Sequence, residues 1–303
     1  MSFRTSTATQ QRQSLQDLQA TQERMALNNA RITSGNRIGS PGEDPTGAAA
    51  ILDFGNSIQA NTQYLKQIDA ASAYLTTAEN AVNGAVESVM RLGELAVSGS
   101  SASVPELNAI WQNLLALANT QSQGKYIFSG TKTNTPPFSA TDPLSAAGTG
   151  TYAFDGDEND IKLGVATGTL VSTNLTGDQV FLGGKGLAPG ASPSDLFTAV
   201  QNLANGLQNG NGTLVQTATT GLNAALANLN QMLAELGGRQ AGLQSLQTSL
   251  GAFNASLQAL QTDQQATDYP TAMTEYTSDE TIQSVTLSVM ARTNKVNLFD
   301  YLA

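Results

Sequence analysis

The run DGDEND, from Asp155 to Asp160, concentrates four carboxylates in six positions. Its spacing resembles the start of a calcium loop, in which alternating side chains turn oxygens toward one cation. Such a loop needs glycine at its sixth position and glutamate at its twelfth. Asp160 and Ala166 stand there instead, so the run is expected to be an acidic hairpin turn. GGKG, Gly183 to Gly186, lacks the spacing of a phosphate-binding loop and is expected to be a connector. The chain has no Cys and no His. Zinc sites built on those residues, thiol nucleophiles and Ser/His or Cys/His triads are therefore excluded. Paired carboxylates remain able to do acid–base chemistry, which leaves a secreted carboxylate-dependent glycan hydrolase as the enzymatic alternative. The acids mostly fall on polar helix faces, so no enzyme, no metal and no cofactor is expected. Asn174, Asn211 and Asn254 each begin a glycosylation sequon, a pattern short enough to arise by chance.

The formal net charge of −10 argues against nucleic-acid binding. It is unevenly placed. Residues 1–40 hold Arg4, Arg12, Arg24, Arg31 and Arg37 against Asp17 and Glu23. Residues 263–303 hold Asp263, Asp268, Glu275, Asp279, Glu280 and Asp300 against Arg292 and Lys295. The two ends are complementary and are expected to pair. No run of 18 apolar residues exists, so membrane insertion is not expected. The N-terminus lacks the apolar core of a cleaved signal peptide.

The elements that must position these groups are mostly helices. Only 13% of residues are charged and 6% aromatic, which suits long helices with shallow contacts. A three–four stripe runs through Leu15, Leu18, Gln22, Met25, Asn29 and Ile32. Gly35, Gly39, Pro41, Asp44 and Pro45 then form an inter-domain break, with Asp44-Pro45 as cap and first turn of the next helix. That helix is expected from Pro45 to Val97, about 80 Å long, with Leu65, Ile68, Ser72, Leu75, Glu79, Val82, Val86, Val89, Gly93 and Ala96 inward. SVPE, Ser103 to Glu106, reads as a capping box opening a third helix. GKYIFSGTKTNTPPF, Gly124 to Phe138, alternates like a hairpin turning at Ser129-Gly130, and more strands follow.

Helix returns near Ser194. Leu222, Leu226, Leu229, Leu233, Leu236, Gln240 and Leu243 hold one heptad register. Leu246, Leu250, Phe253, Leu257 and Leu260 hold another, three residues out of step. TDQQATDYP, Thr262 to Pro270, breaks the pattern again, and Ile282, Val285, Val289, Arg292, Val296 and Phe299 form a last stripe. The fold is expected to be mainly α with a small β-rich insertion. It is a long antiparallel helical rod with a terminal coiled coil. Residues 1–40 and 265–303 make the coiled-coil domain. Residues 41–133 and 191–264 make the rod with its β-hairpin, and residues 134–190 the small β-rich outer domain. Four apolar side chains in NLFDYLA (Leu298, Phe299, Tyr301 and Leu302) end the chain. With Leu15, Leu18, Met25, Ile32, Ile282, Val285, Val289 and Val296 they are the expected assembly interface, because exposed apolar rows ask for a partner.

This layout, with RITSGNRIGSPGEDPTGAAAI (Arg31 to Ile51), GKYIFSGTKTNTPPF, TGDQVF (Thr176 to Phe181), LGGRQAGL (Leu236 to Leu243) and NLFDYLA, resembles the bacterial flagellin family over the whole chain, most weakly at 139–175. The second glycine of LGGRQAGL departs from the family pattern. Within the family the hairpin, TGDQVF and NLFDYLA are similar to the members that join hook to filament; a filament flagellin is the alternative. The resemblance implies a structural protein of the extracellular flagellum, exported through the flagellar type III apparatus without a cleaved signal peptide. It further implies self-association in a ring, contact with a neighbouring hook-associated protein and with filament flagellin, templating of filament assembly, and a cytosolic export chaperone.

Overall fold

The computed structural model describes the backbone over residues 2–140, 151–166 and 168–302, and the side chains of those residues except 2–8, 10 and 293–302. Among the described residues seven α-helices run in the order α1 (Ser2–Ser34), α2 (Pro45–Ser98), α3 (Val104–Ala118), α4 (Gly177–Phe181), α5 (Leu196–Gln208), α6 (Gly212–Gln265) and α7 (Tyr269–Leu302). Between α3 and α4 lie six short strands: β1 (Gln121–Ser122), β2 (Lys125–Tyr126), β3 (Phe138–Ala140), β4 (Tyr152–Phe154), β5 (Lys162–Ala166) and β6 (Thr169–Ser172). They pair as three separate antiparallel hairpins among the described residues. The chain is thus mainly α with a small β-rich insertion, as its sequence suggests. It divides into one unit of residues 1–60 and 253–303 and another of 61–252.

In the second unit α2 and α6 run antiparallel, tied by Gln240 Nε2 to Thr76 Oγ1 at 3.4 Å and Gln247 Nε2 to Asp69 Oδ1 at 2.8 Å. Their buried rows follow the three–four spacing of a helical seam. On α2 the row is Ile68, Ala71, Leu75, Ala78, Val82, Ala85, Val89, Leu92 and Ala96. On α6 it is Ala218, Leu222, Ala225, Leu229, Met232, Leu236 and Leu243. Every second expected position is right and its companion is not. The structure buries Ala71, Ala78 and Ala85 where Ser72, Glu79 and Val86 were expected, and Ala225 and Met232 where Leu226 and Leu233 were. At the alanine positions small residues let two helices approach closely, so the bulkier neighbours move to the flank and stay half-buried; Met232 has no such explanation.

Leu246 and Leu250 continue the row of Leu236 and Leu243 in regular steps and are half-buried. The expected register shift between Leu243 and Leu246 is therefore absent. The irregularity falls later, where Phe253 lies exposed and Asn254 turns inward. Gly237 and Gly238 do not interrupt α6.

Phe197 of α5 sits at the centre of an aromatic cluster in the same unit. Its ring lies 5.2 Å from Trp111, 5.1 Å from Tyr152, 5.1 Å from Phe138 and 6.0 Å from Phe181. The β3–β4 hairpin thereby shares the helical core. Asp195 caps α5 by accepting from Thr198 N at 3.1 Å and also takes the Tyr152 hydroxyl and Gly190 N. Burial, with this carboxylate beside it, pushes the Tyr152 phenol up.

Two local expectations change. Ser103 lies in a 3-10 turn with αR backbone and makes no capping bond, because a capping box needs an extended cap residue. The box sits instead at α4, where Gln179 Oε1 accepts from Thr176 N at 3.3 Å. The first hairpin turns at Gln123-Gly124, both at positive φ, and a further turn follows at Ser129-Gly130, where Lys132 N donates to Ser129 O at 3.3 Å. Two such residues are what a tight hairpin turn demands.

Candidate assembly interface

Asp155, Asp157 and Asp160 of the acidic run are engaged by groups of the protein itself. Asp157 accepts from Thr131 N at 2.9 Å and Asn159 N at 3.0 Å, and Asp155 accepts from Ser139 Oγ at 2.6 Å. Lys185 bonds Asp160 at 2.8 Å and holds that carboxyl below the usual carboxylate range. Lys185 is the lysine of GGKG, whose loop is also pinned by Asp178 accepting from Gly186 N. Among the described residues no group of three acids could hold a metal ion, and no helix is long and apolar enough to cross a membrane. Asn174 is fully buried, its Oδ1 accepting from Ile161 N at 2.7 Å, so that sequon is inaccessible.

What stands out is the first unit, where α1 and α7 pair antiparallel. The inward row of α1 is Leu18, Thr21, Met25, Asn28 and Ile32, with Thr21 and Asn28 buried and the others half-buried. Against it α7 turns Ala272, Tyr276, Asp279, Gln283, Thr286 and Met290. The rows mix types: Leu18, Met25 and Ile32 of α1 are apolar, whereas Tyr276, Asp279, Gln283 and Thr286 of α7 are polar. Arg24 forks onto Asp279, with Nη2 to Oδ1 at 2.8 Å and Nε to Oδ1 at 3.2 Å, and Asp279 is only 7% exposed.

The apolar stripe of α7 faces the other way. Ile282 is 44% exposed and Val285 57%, and Met273, Leu287 and Val289 are also exposed. Leu15, at 53%, and Leu27 point outward from α1. Of the twelve residues expected at an interface, Leu18, Met25 and Ile32 lie inside the α1–α7 pair, while Leu15, Ile282, Val285 and Val289 lie outside it. The side chains of Val296, Leu298, Phe299, Tyr301 and Leu302 lie outside the described residues; their backbone continues α7.

The two helical breaks meet. Thr267 N donates to Gly35 O at 3.0 Å and Arg37 N to Gln265 O at 2.8 Å, a short antiparallel bridge between the segments flanking α1 and α7. Gly35 has φ +73°, and a Cβ there would stand 2.9 Å from Tyr269 Oη, so only glycine fits. Arg37 reaches the α6 terminus through Gln264 O at 3.3 Å and Asp44 at 3.1 Å. Asp44 in turn caps α2, taking Gly47 N at 2.8 Å, and that bond holds its carboxyl below the usual range. Pro45 is the first residue of α2; Gly39 accompanies the turn and donates to Glu43 at 3.4 Å. Pro41 lies in the same turn. Arg37 was not singled out as a junction residue from sequence, because one arginine between two breaks carries no periodic signal.

The charge asymmetry resolves into specific pairs. Arg24 bridges to α7, but Arg31 bonds Glu43 at 3.3 Å, within its own end of the chain. Arg24→Glu should therefore loosen α7, read as faster amide exchange over 272–286. Arg31→Glu should leave those amides unchanged. Equal effects would mean that net charge, not the Arg24–Asp279 contact, holds the pair.

Comparison with known proteins agrees with this architecture. The bacterial flagellin N-terminal helical region matches residues 5–133 and the bacterial flagellin C-terminal helical region matches residues 219–302. Flagellar hook-associated protein 3 of Escherichia coli (strain K12) is 26% identical over 161 residues, covering 50% of this chain and 48% of that protein. The chain thus spans about half the length of the curated relatives it matches. The flagellar junction protein FlgL from Legionella pneumophila superposes with a TM-score of 0.57 at 20% identity, covering 71% of this chain and 99% of that one. Bacillus cereus FlgL gives 0.56 at 22%, covering 69% and 99%. These structures share the fold. With both helical regions matched in chain order and together taking in more than half of its length, this chain belongs to the bacterial flagellin family.

Proposed function

We propose that this chain is a structural, non-enzymatic subunit of the bacterial flagellum that stands between hook and filament. The observation that carries the reading is the exposed face of the terminal helices: α1 and α7 meet through rows that mix polar and apolar side chains and leave Ile282 and Val285 in solvent. A finished monomer gains nothing from such an apolar face, whereas covering each large side chain stabilises an assembly by roughly 1.5–3 kcal/mol. The similarity to hook-associated protein 3 and to a junction protein supports the place in the flagellum.

In this reading residues 1–40 and 265–303 form the assembly core, 41–133 and 191–264 the rod, and 134–190 the outer part. Gly35, Gly39, Pro41, Asp44 and Pro45 separate core from rod. The interface comprises Leu15, the outward stripe of α7 and the terminal Val296, Leu298, Phe299, Tyr301 and Leu302. Its partners are further copies in a ring, a neighbouring hook-associated protein on one side, filament flagellin on the other, and a cytosolic chaperone before export. The chain leaves the cell through the flagellar export apparatus.

Gold-labelled antibody on sheared flagella tests the placement. The expected result is a thin band at the hook–filament boundary. Label along the whole filament would make the chain a filament flagellin, and no label on flagella would end the reading.

A further inference from the structure

Between α5 and α6 the chain reads QNGNGT, Gln208 to Thr213, and two of the chain's four Asn-Gly pairs fall there; the others are Asn83-Gly84 in α2 and Asn205-Gly206 in α5. An asparagine followed by glycine carries its own reaction partner. The glycine nitrogen can reach the side-chain carbonyl, and no Cβ obstructs the approach. Closure needs that nitrogen free of a hydrogen bond and the backbone able to turn it onto Cγ.

The fold treats the four pairs differently. Gly84 and Gly206 lie inside helices, where an N–H is committed to the carbonyl four residues back. Both are also packed in: a Cβ on Gly84 would stand 3.1 Å from Leu117 Cδ2, and one on Gly206 2.8 Å from Val215 Cγ2. Asn211 is held by its side chain, whose Oδ1 caps α6 by accepting from Thr213 N at 3.1 Å and Leu214 N at 3.2 Å. Turning its Cγ toward Gly212 would undo that cap. Asn209 is restrained less. It and Gly210 are exposed, and Gly210 sits in the left-handed region at φ +62°. The bonds closing the turn run from Asn209 N to Asn205 O at 3.1 Å and from Asn211 N to Gly206 O at 2.8 Å, passing over Gly210 N. The Asn209 side chain makes one exposed bond, Nδ2 to Asn205 O at 3.1 Å.

We propose that Asn209 is a site of spontaneous deamidation, selected from the four pairs by this turn. Gly210 N attacks Asn209 Cγ; the N–Cγ bond forms, the Cγ–Nδ2 bond breaks, and the glycine proton leaves with Nδ2 as ammonia. Water then adds to one carbonyl of the five-membered imide and reopens its C–N bond, leaving aspartate or isoaspartate. Nothing is oxidised or reduced. The new carboxylate faces Asn205 O, where the amide had donated, at the helix end whose dipole opposes negative charge. Each conversion therefore loosens the last turn of α5.

The test follows amide loss by peptide mass spectrometry in the full chain held in mildly alkaline buffer, one portion folded and one in urea. Fragment ions assign each new acid to its asparagine. In the folded portion Asn209 should convert at least about tenfold faster than Asn83, Asn205 or Asn211, because each of those must first break a helical or capping bond that adds to its barrier. In urea the four rates should draw together to within a few-fold. Asn209→Gln, whose longer side chain closes a ring poorly, should keep the wild-type melting temperature and lose the early acidic species that the wild-type chain forms. An Asn209 that keeps its amide as long as the other three, an Asn211 that reacts first, or an early acidic species that persists in Asn209→Gln overturns the proposal. So does a folded chain whose four rates equal those in urea.

Discussion

Glutamate at both Ile282 and Val285 leaves the free chain's melting almost unmoved and removes it from flagella. Both side chains are about half exposed, and substitutions at such positions usually shift stability by no more than about 0.5 kcal/mol. Within an assembled interface the same changes bury two uncompensated carboxylates. Each costs several kcal/mol after relaxation, and every 1.4 kcal/mol is about tenfold in an equilibrium constant. The expected retention is therefore below one hundredth of wild type, measured on sheared flagella, with thermal circular dichroism of the monomer alongside. Normal retention would show that this face stays wet in the flagellum. A collapsed melting temperature would show that the stripe packs within the chain after all.

Phe197→Ala should unfold the second unit at much lower denaturant. The ring is fully buried and touches four other aromatic rings drawn from α3, α4 and the β3–β4 hairpin. Truncating a buried phenylalanine costs about 3–5 kcal/mol, part for lost transfer and part for the cavity. That is a large share of the stability of an ordinary domain. The chain has one tryptophan, and Trp111 lies in edge contact with Phe197, so its fluorescence follows this core alone. A loss under about 1 kcal/mol would mean that the cluster collapses to fill the space, which the spread of measured values permits. The hairpin would then be a passive decoration rather than part of the core.

Long apolar periodicity was legible in the sequence, and so were the helices it builds: α2 was expected to end at Val97 and ends at Ser98. The finer choice within each stripe was not. Alanine carries little hydrophobic weight, so Val86 outweighs Ala85 in any pattern, yet at a close helix–helix contact it is the small side chain that fits between backbones. On α1 three–four stepping from Leu15 placed Gln22 and Asn29 on the inner row, one residue past the buried Thr21 and Asn28. Turn chemistry was half visible. Gly124 marks a hairpin by type, but Gln123 at positive φ is an uncommon choice that no residue preference announces. Contacts such as Arg24 with Asp279 or Arg37 with Gln264 depend on which distant segments meet, and one sequence without that knowledge offers only complementary charge.

The bridge between the two helical breaks also sets an order of events. Gly35 meets Thr267, and the Arg24–Asp279 contact joins residues 255 apart in sequence. Bringing such distant segments together costs closure entropy that only a folded middle reduces, and contacts of long sequence separation form late. The basic helix α1 therefore lacks its α7 partner until α7 has been synthesised. A molecule that lacks α7 cannot build this helix pair. Pairing of α1 with α7 is thereby deferred until the long stretch between them is in place.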